Sequence, residues 1–115
     1  MVFRRLFGGK PALVKGAGRL AEGQAKKITF GDPVAGDGAE IMLCRVEGKL
    51  MAVDVLCPHE GGRMAEGPLV DGKYVVCPLH QYFFDPKSGK PINAVCRKVK
   101  TYKVRESDGD CEIWL

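Results

Sequence analysis

Histidine is nearly absent from this 115-residue chain: there are two, His59 and His80. No apolar run approaches the roughly 20 residues that a membrane-crossing helix needs, so no membrane span is expected. No export signal is expected either. Arg4 and Arg5 open the chain, but Gly8-Gly9-Lys10-Pro11 stands where a signal peptide places its apolar stretch and cleavage site, which points to a cytoplasmic protein. No segment holds a 3.6-residue apolar period over the length of a helix, and this argues against a helical bundle. The five cysteines are an odd number for a disulfide framework, so Cys44, Cys96 and Cys111 are expected as reduced thiols behaving as small buried apolar groups.

What is present is concentrated. Both histidines stand beside cysteines, in Cys57-Pro58-His59 and Cys77-Pro78-Leu79-His80. Each short loop offers one thiolate and one imidazole, the donor set of a [2Fe–2S] centre in which two cysteines hold one iron and two histidines the other. Thiolate is soft and anionic and stabilises ferric iron, whereas neutral imidazole gives less charge. The histidine-bound iron is then the one to accept an electron. Cys57 and Cys77 are expected inside, with His59 and His80 nearer the surface as the electron's exit and as a proton site. A tetrahedral zinc site is the alternative for the same four residues. Common zinc spacings, however, pair Cys with Cys and His with His, and here each loop carries one of each.

The rest of the chain reads as strand and turn. Strands are expected over 26–30, 39–46, 50–55, 73–76, 82–84, 99–105 and 111–115, punctuated by Glu47-Gly48, Asp71-Gly72, Ser88-Gly89 and Asp108-Gly109. The length suits one domain, able to bury roughly two-thirds of its unfolded surface. Short strands with Gly, Pro and Asp turns predict an all-β antiparallel protein. The opening residues, through about Lys15, are expected to be poorly ordered.

Charge is uneven along the chain. Residues 1–27 carry seven Lys or Arg against Glu22 alone, within a net charge of +4 for the whole. Such an arm can steer an acidic partner, but it reads first as a solvated terminus. No basic face interleaved with aromatics accompanies it, so nucleic acid is not expected as a partner.

Over residues 20–115 the chain resembles the Rieske-type ferredoxins, the electron carriers of aromatic-ring-hydroxylating dioxygenase systems. The resemblance rests on Cys57-Pro58-His59-Glu60-Gly61-Gly62, Ala65-Glu66-Gly67, Cys77-Pro78-Leu79-His80, Phe84, Ser88-Gly89-Lys90 and Leu20-Ala21-Glu22-Gly23. It implies a Rieske-type fold of three small antiparallel sheets, with a basal β domain and an inserted cluster-binding subdomain at about 57–91. It also implies one [2Fe–2S] cluster held by Cys57, His59, Cys77 and His80. The domain is expected to fill residues 1–115, with 1–19 as a basic arm.

Departures from the related high-potential proteins bear on the chemistry. Those carry an extra cysteine in each loop, joined as a disulfide; here Gly62 and Leu79 stand at those positions. They also place a serine two residues, and a tyrosine four residues, after the second histidine, and those hydroxyls stabilise the reduced centre. This chain has Tyr82 and Phe84 there, and Gln81 where glycine is common. A potential toward the low end of the Rieske range follows. Leu56, Met64, Leu79 and Phe84 are candidates for an apolar shield, or equally for ordinary core. Gly61 and Gly62 allow close backbone approach to sulfide, and Glu60 and Arg63 would bias the cluster's charge state in opposite directions.

The expected role is that of a one-electron carrier with no substrate chemistry of its own. It would take electrons from a flavin or iron–sulfur ferredoxin reductase and pass them to a terminal oxygenase. The chain has neither the length nor a spare histidine for a catalytic mononuclear iron. The alternative is a small Rieske-like subunit fixed in a larger oxidoreductase, such as assimilatory nitrite reductase. A purely structural or redox-sensing metal module is a third possibility.

Overall fold

The computed structural model describes residues 11–31, 38–58 and 62–115. These contain nine strands: β1 (Ala12–Val14), β2 (Gln24–Phe30), β3 (Ala39–Val46), β4 (Lys49–Asp54), β5 (Gly67–Pro68), β6 (Val75–Cys77), β7 (Tyr82–Phe84), β8 (Thr101–Ser107) and β9 (Asp110–Trp114). One 3-10 turn, Ala17–Arg19, is the helical element among the described residues.

Turn chemistry sets the two long hairpins. Glu47 and Gly48 lie at φ 53° and 78°, and Asp108 and Gly109 at 53° and 83°. Two successive left-handed residues make the tight turn whose twist matches the strands it joins. The pairs Val46↔Lys49 and Ser107↔Asp110 close these loops. The carboxylate of Glu22 reinforces the first, accepting from the N–H groups of Glu47 and Gly48 at 2.7 and 2.8 Å.

Seven strands form one antiparallel array in the order β1-β9-β8-β4-β3-β2-β5, and β6-β7 stand apart as a ribbon. The array is two basal sheets joined by a short ladder, Ala52↔Tyr102 and Val53↔Thr101. The ribbon is the third sheet of the expected all-β fold. Its outer edges are covered: Ala65 N–H donates to Val76 O at 2.9 Å, and Ile92 N–H to Phe83 O at 2.9 Å.

Strand β3 divides the interior. Ile41 and Leu43 face one core with Leu50, Ala52, Cys111 and Ile113. Met42 and Cys44 face the other, with Val53, Val55, Val75 and Phe84. Alternate residues point to opposite faces, so a strand apolar at both sets of positions is covered on both sides. The ribbon and its flanking loops lie on the Met42 side and bring Cys57 and Cys77 into that core.

Some boundaries differ from expectation. Residues 12–14 are a strand, registered on β9 through Ala12↔Ile113, and Ala17 is buried. Part of the expected basic arm, residues 12–14, is therefore built into the sheet. Residues 71–73 form a turn closed by an isolated bridge between Tyr74 and Val70, the Tyr74 N–H donating to Val70 O at 3.0 Å, so β6 begins at Val75 rather than at Lys73. The last hairpin begins at Thr101 rather than Val99, because the Val99 N–H is spent on Gly89 O at 2.9 Å.

Arg45 clamps the basal sheets. Its Nε donates to Leu20 O at 2.6 Å, and its Nη1 and Nη2 meet Glu106 Oε1 and Oε2 at 3.1 and 2.9 Å. This forked, charge-assisted pair holds the Glu106 carboxyl below its ordinary range, against the opposing effect of burial. The depressed folded value means that its stabilisation is present above the unfolded carboxylate value and is lost as pH falls through the folded one. Glu106→Gln is expected to make stability fall less steeply from neutral pH into the acid range. Denaturant midpoints across that range check this, and equal slopes for both proteins would refute it.

Candidate metal centre

Two loops converge on the Met42 face of the basal sheets. The first leaves β4 and is pinched at its neck: Met64 N–H donates to Val55 O at 2.8 Å, and Leu56 bridges Arg63. Within it, Cys57 N–H donates to Gly62 O at 2.6 Å. The second loop joins β6 to β7, closing on the pair Cys77↔Tyr82. The bond from Ala65 to Val76 ties the first loop to the strand that delivers the second.

The two cysteines meet. Cys57 and Cys77 are 3% and 1% exposed and share one core. Burial pushes the Cys77 thiol up, while the N–H groups of Leu79 and His80, donating to its sulfur, pull it down; contact with the Cys57 thiol raises it further. Those two amides are donors placed for a sulfur that carries negative charge. His80 lies three residues on and is exposed, with its ring 5.7 Å from that of Tyr82. His59, Glu60 and Gly61 lie outside the described residues, so the expectations for them have no structural counterpart.

Gly62 fits this site for a steric reason. A Cβ there would stand 2.5 Å from Cys77 Sγ and 3.2 Å from Leu79 Cβ. The backbone of the first loop thus lies directly on the sulfur of the second, an approach that only glycine permits. Gln81 takes φ 56°, a left-handed conformation in which glycine is the least strained residue. Here its side-chain Nε2 donates to Pro78 O at 3.3 Å, bracing the turn that presents His80. Asn93 braces the same turn from outside: its Nδ2 donates to Gln81 O at 2.8 Å, and its Oδ1 accepts from Phe83 N–H at 3.0 Å. Nothing in the sequence pattern had marked Asn93 as part of the site.

The apolar residues near the loops divide. Met64 and Phe84 are buried, whereas Leu56 and Leu79 are 48% and 55% exposed. Half of the expected shield is therefore surface. Arg63 pairs with Glu40, which takes up its charge. Cys44 and Cys111 are buried on strands, and burial pushes the Cys44 thiol up to about 12, so it is chemically quiet. Cys96 departs from expectation: it is partly exposed and lies outside any strand, packed against the core that holds Cys57 and Cys77. All five cysteines are free of disulfides.

The donor chemistry fits a [2Fe–2S] group: two buried sulfurs, backbone N–H groups on one of them, and an imidazole at the rim. Known proteins agree. The family model of the Rieske [2Fe-2S] domain matches residues 11–103. The ferredoxin component of the naphthalene 1,2-dioxygenase system of Pseudomonas putida is 44% identical over 70 residues, 60% of this chain and 66% of that protein. The chain thus spans slightly less than two-thirds of that relative. The anthranilate 1,2-dioxygenase ferredoxin subunit of Burkholderia cepacia is 34% identical over 94 residues, 79% of this chain and 86% of its own. Among solved structures, the ferredoxin of carbazole 1,9a-dioxygenase from Nocardioides aromaticivorans superposes with a TM-score of 0.72 at 25% identity, covering 91% of this chain and 97% of that one.

Proposed function

Because the chain belongs to the Rieske [2Fe-2S] domain family, we propose that it is the ferredoxin of a ring-hydroxylating oxygenase system, carrying single electrons from a reductase to a terminal oxygenase. The observation that carries this reading is the pair of buried sulfurs brought together from two loops, with an exposed histidine on the turn that carries one of them. Cys57 and Cys77 would hold one iron and His59 and His80 the other, within a cluster-binding subdomain at about 57–91. The group supplies one-electron exchange when bound. The residues around it do the rest. The N–H groups of Leu79 and His80 stabilise charge on the Cys77 sulfur, and the Val75, Phe84 and Met64 side chains keep water from it. His80 at the surface gives the short path to a partner.

Substrate chemistry is assigned to the oxygenase, so this chain is read as a carrier and not as an enzyme. Among the described residues no helix is long and apolar enough to cross a membrane, and the proposed location is the cytoplasm.

Phe84 is fully buried and brings no hydroxyl to the site, and Tyr82 holds its hydroxyl far from its own backbone. With fewer donors to the sulfurs, the midpoint potential is expected near the low end of the Rieske range, roughly −150 mV. Potentiometric titration followed by electron paramagnetic resonance checks both cofactor and role. A Rieske-type signal at that potential supports the oxygenase-linked carrier. A midpoint well above zero would point to respiratory or oxidase chemistry, and zinc in place of iron would overturn the cluster.

A further inference from the structure

Charge on the folded surface is not where the amino-terminal arm alone would put it. Residues 86–105 contain seven Lys or Arg and no Asp or Glu, while the rest of the chain beyond residue 27 holds four basic and 13 acidic side chains. The fold gathers this segment. Gly89 O accepts from Val99 N–H at 2.9 Å, and the Cβ position over Gly89 lies 3.5 Å from Lys98 Cβ. The turn bearing Lys87 and Lys90 therefore lies on the stretch bearing Lys98. Lys87 and Lys103 also line one cleft of about 390 Å³, together with Leu50, Met51, Tyr102 and Val104.

Among the described residues these cations form no ion pair, in contrast to others on the surface. Lys27 and Arg63 pair with Glu40, Arg45 with Glu106, and Arg105 with Glu112. Among the described residues Lys87, Lys90, Lys98 and Lys103 pair with no carboxylate; Lys103 instead lies 5.1 Å from the Trp114 ring centroid. The neighbouring acids are engaged with backbone: Asp85 accepts from Lys87 N–H at 2.9 Å and Asp54 from Leu56 N–H at 3.2 Å. The segment between Lys90 and Lys98 also touches the metal centre. Cys96, just before Arg97, packs on the Cys57 and Cys77 core, and Asn93 braces the His80 turn.

We infer that the strip of Lys87, Lys90, Lys98 and Lys103 is a docking face for an acidic protein surface, carried on the same segment that braces the His80 turn. The inference rests on the carrier reading for the identity of that partner as a redox protein. Charge complementarity selects an acidic occupant. The cleft favours a protein over a nucleic acid, because it offers apolar as well as polar lining between two lysines, which suits a carboxylate-flanked apolar side chain. Unpaired cations also raise the rate of encounter with an opposite charge at low ionic strength.

The test uses the full chain, ¹⁵N-labelled and loaded with its cluster, titrated with a polyglutamate peptide at low ionic strength. Amide shifts are expected along residues 86–103, and the K87E/K98E/K103E variant should bind about tenfold more weakly or worse. A glutamine triple variant, which removes charge without adding any, should fall between the two. Shifts centred on residues 1–27 would overturn the proposal. So would tighter binding of a short DNA duplex to the same strip, or equal shifts on concentrating the chain alone, which would mark a second copy as the occupant. Binding is read without electron transfer. Absence of the iron–sulfur spectrum would thus defeat the carrier reading, and absence of strip shifts would defeat the docking face.

Discussion

Cys77→Ser is expected to give a folded chain with no visible iron–sulfur absorption. Cys77 is buried to 1% exposure against Cys57, and its sulfur accepts N–H groups from Leu79 and His80. A serine oxygen would still accept those bonds, so the β6–β7 turn survives. It would not replace a soft, anionic sulfur as an iron ligand. Cys57→Ser should behave alike. His59→Cys, which adds charge to the opposite iron, should retain some cluster at a lower potential. Absorption spectra and iron content of reconstituted protein decide this. Visible spectra unchanged in Cys57→Ser and His59→Cys would end the assignment of ligands.

The largest loss of stability is expected from Gly89→Ala. Gly89 lies at φ 81°, where an alanine costs about 1–2 kcal/mol from backbone strain alone. Its Cβ would also stand 2.3 Å from Val99 O, a backbone atom that cannot swing aside as a side chain can. Relief requires the 85–90 turn to part from the 98–101 stretch, which breaks the bond from Val99 N–H to Gly89 O. The total is expected to exceed about 3 kcal/mol, or roughly 10 °C in melting temperature for a domain of this size. Thermal unfolding measures it, with Gly48→Ala as the control, since Gly48 is also left-handed but its Cβ would meet nothing within 4 Å. Equal melting temperatures for the two variants would show that the contact is not tight.

Where local chemistry decides structure, the sequence is legible. Glu47-Gly48 and Asp108-Gly109 announce their hairpins, and all seven expected strands (β2, β3, β4, β6, β7, β8 and β9) stand within two residues of their expected bounds. The four-residue Cys and His pattern singles out both loops. Tertiary pairing is what escaped. Ala12–Val14 and Gly67–Pro68 are too short to show alternation and are strands because β9 and β2 offer them partners. Leu56 and Leu79 look like core to any reading by hydrophobicity, yet sit on loops that point outward. The Asn93 brace joins residues ten and twelve positions apart, across a turn that no local pattern encodes. The run of cations at 86–105 is legible in the sequence, but that its turn and the stretch after it lie together is set by the bond from Val99 N–H to Gly89 O, which no local pattern encodes.

The two ends of the seven-stranded array have a bearing on how this protein behaves in bulk. One edge is the three-residue β1, and the other is the two-residue β5, which ends in Pro68 and so lacks one N–H donor. Added strands need several consecutive donors and acceptors to hold them, and edges this short, one interrupted by proline, supply few. The described sheet thus offers poor templates for fibrous self-assembly at either margin.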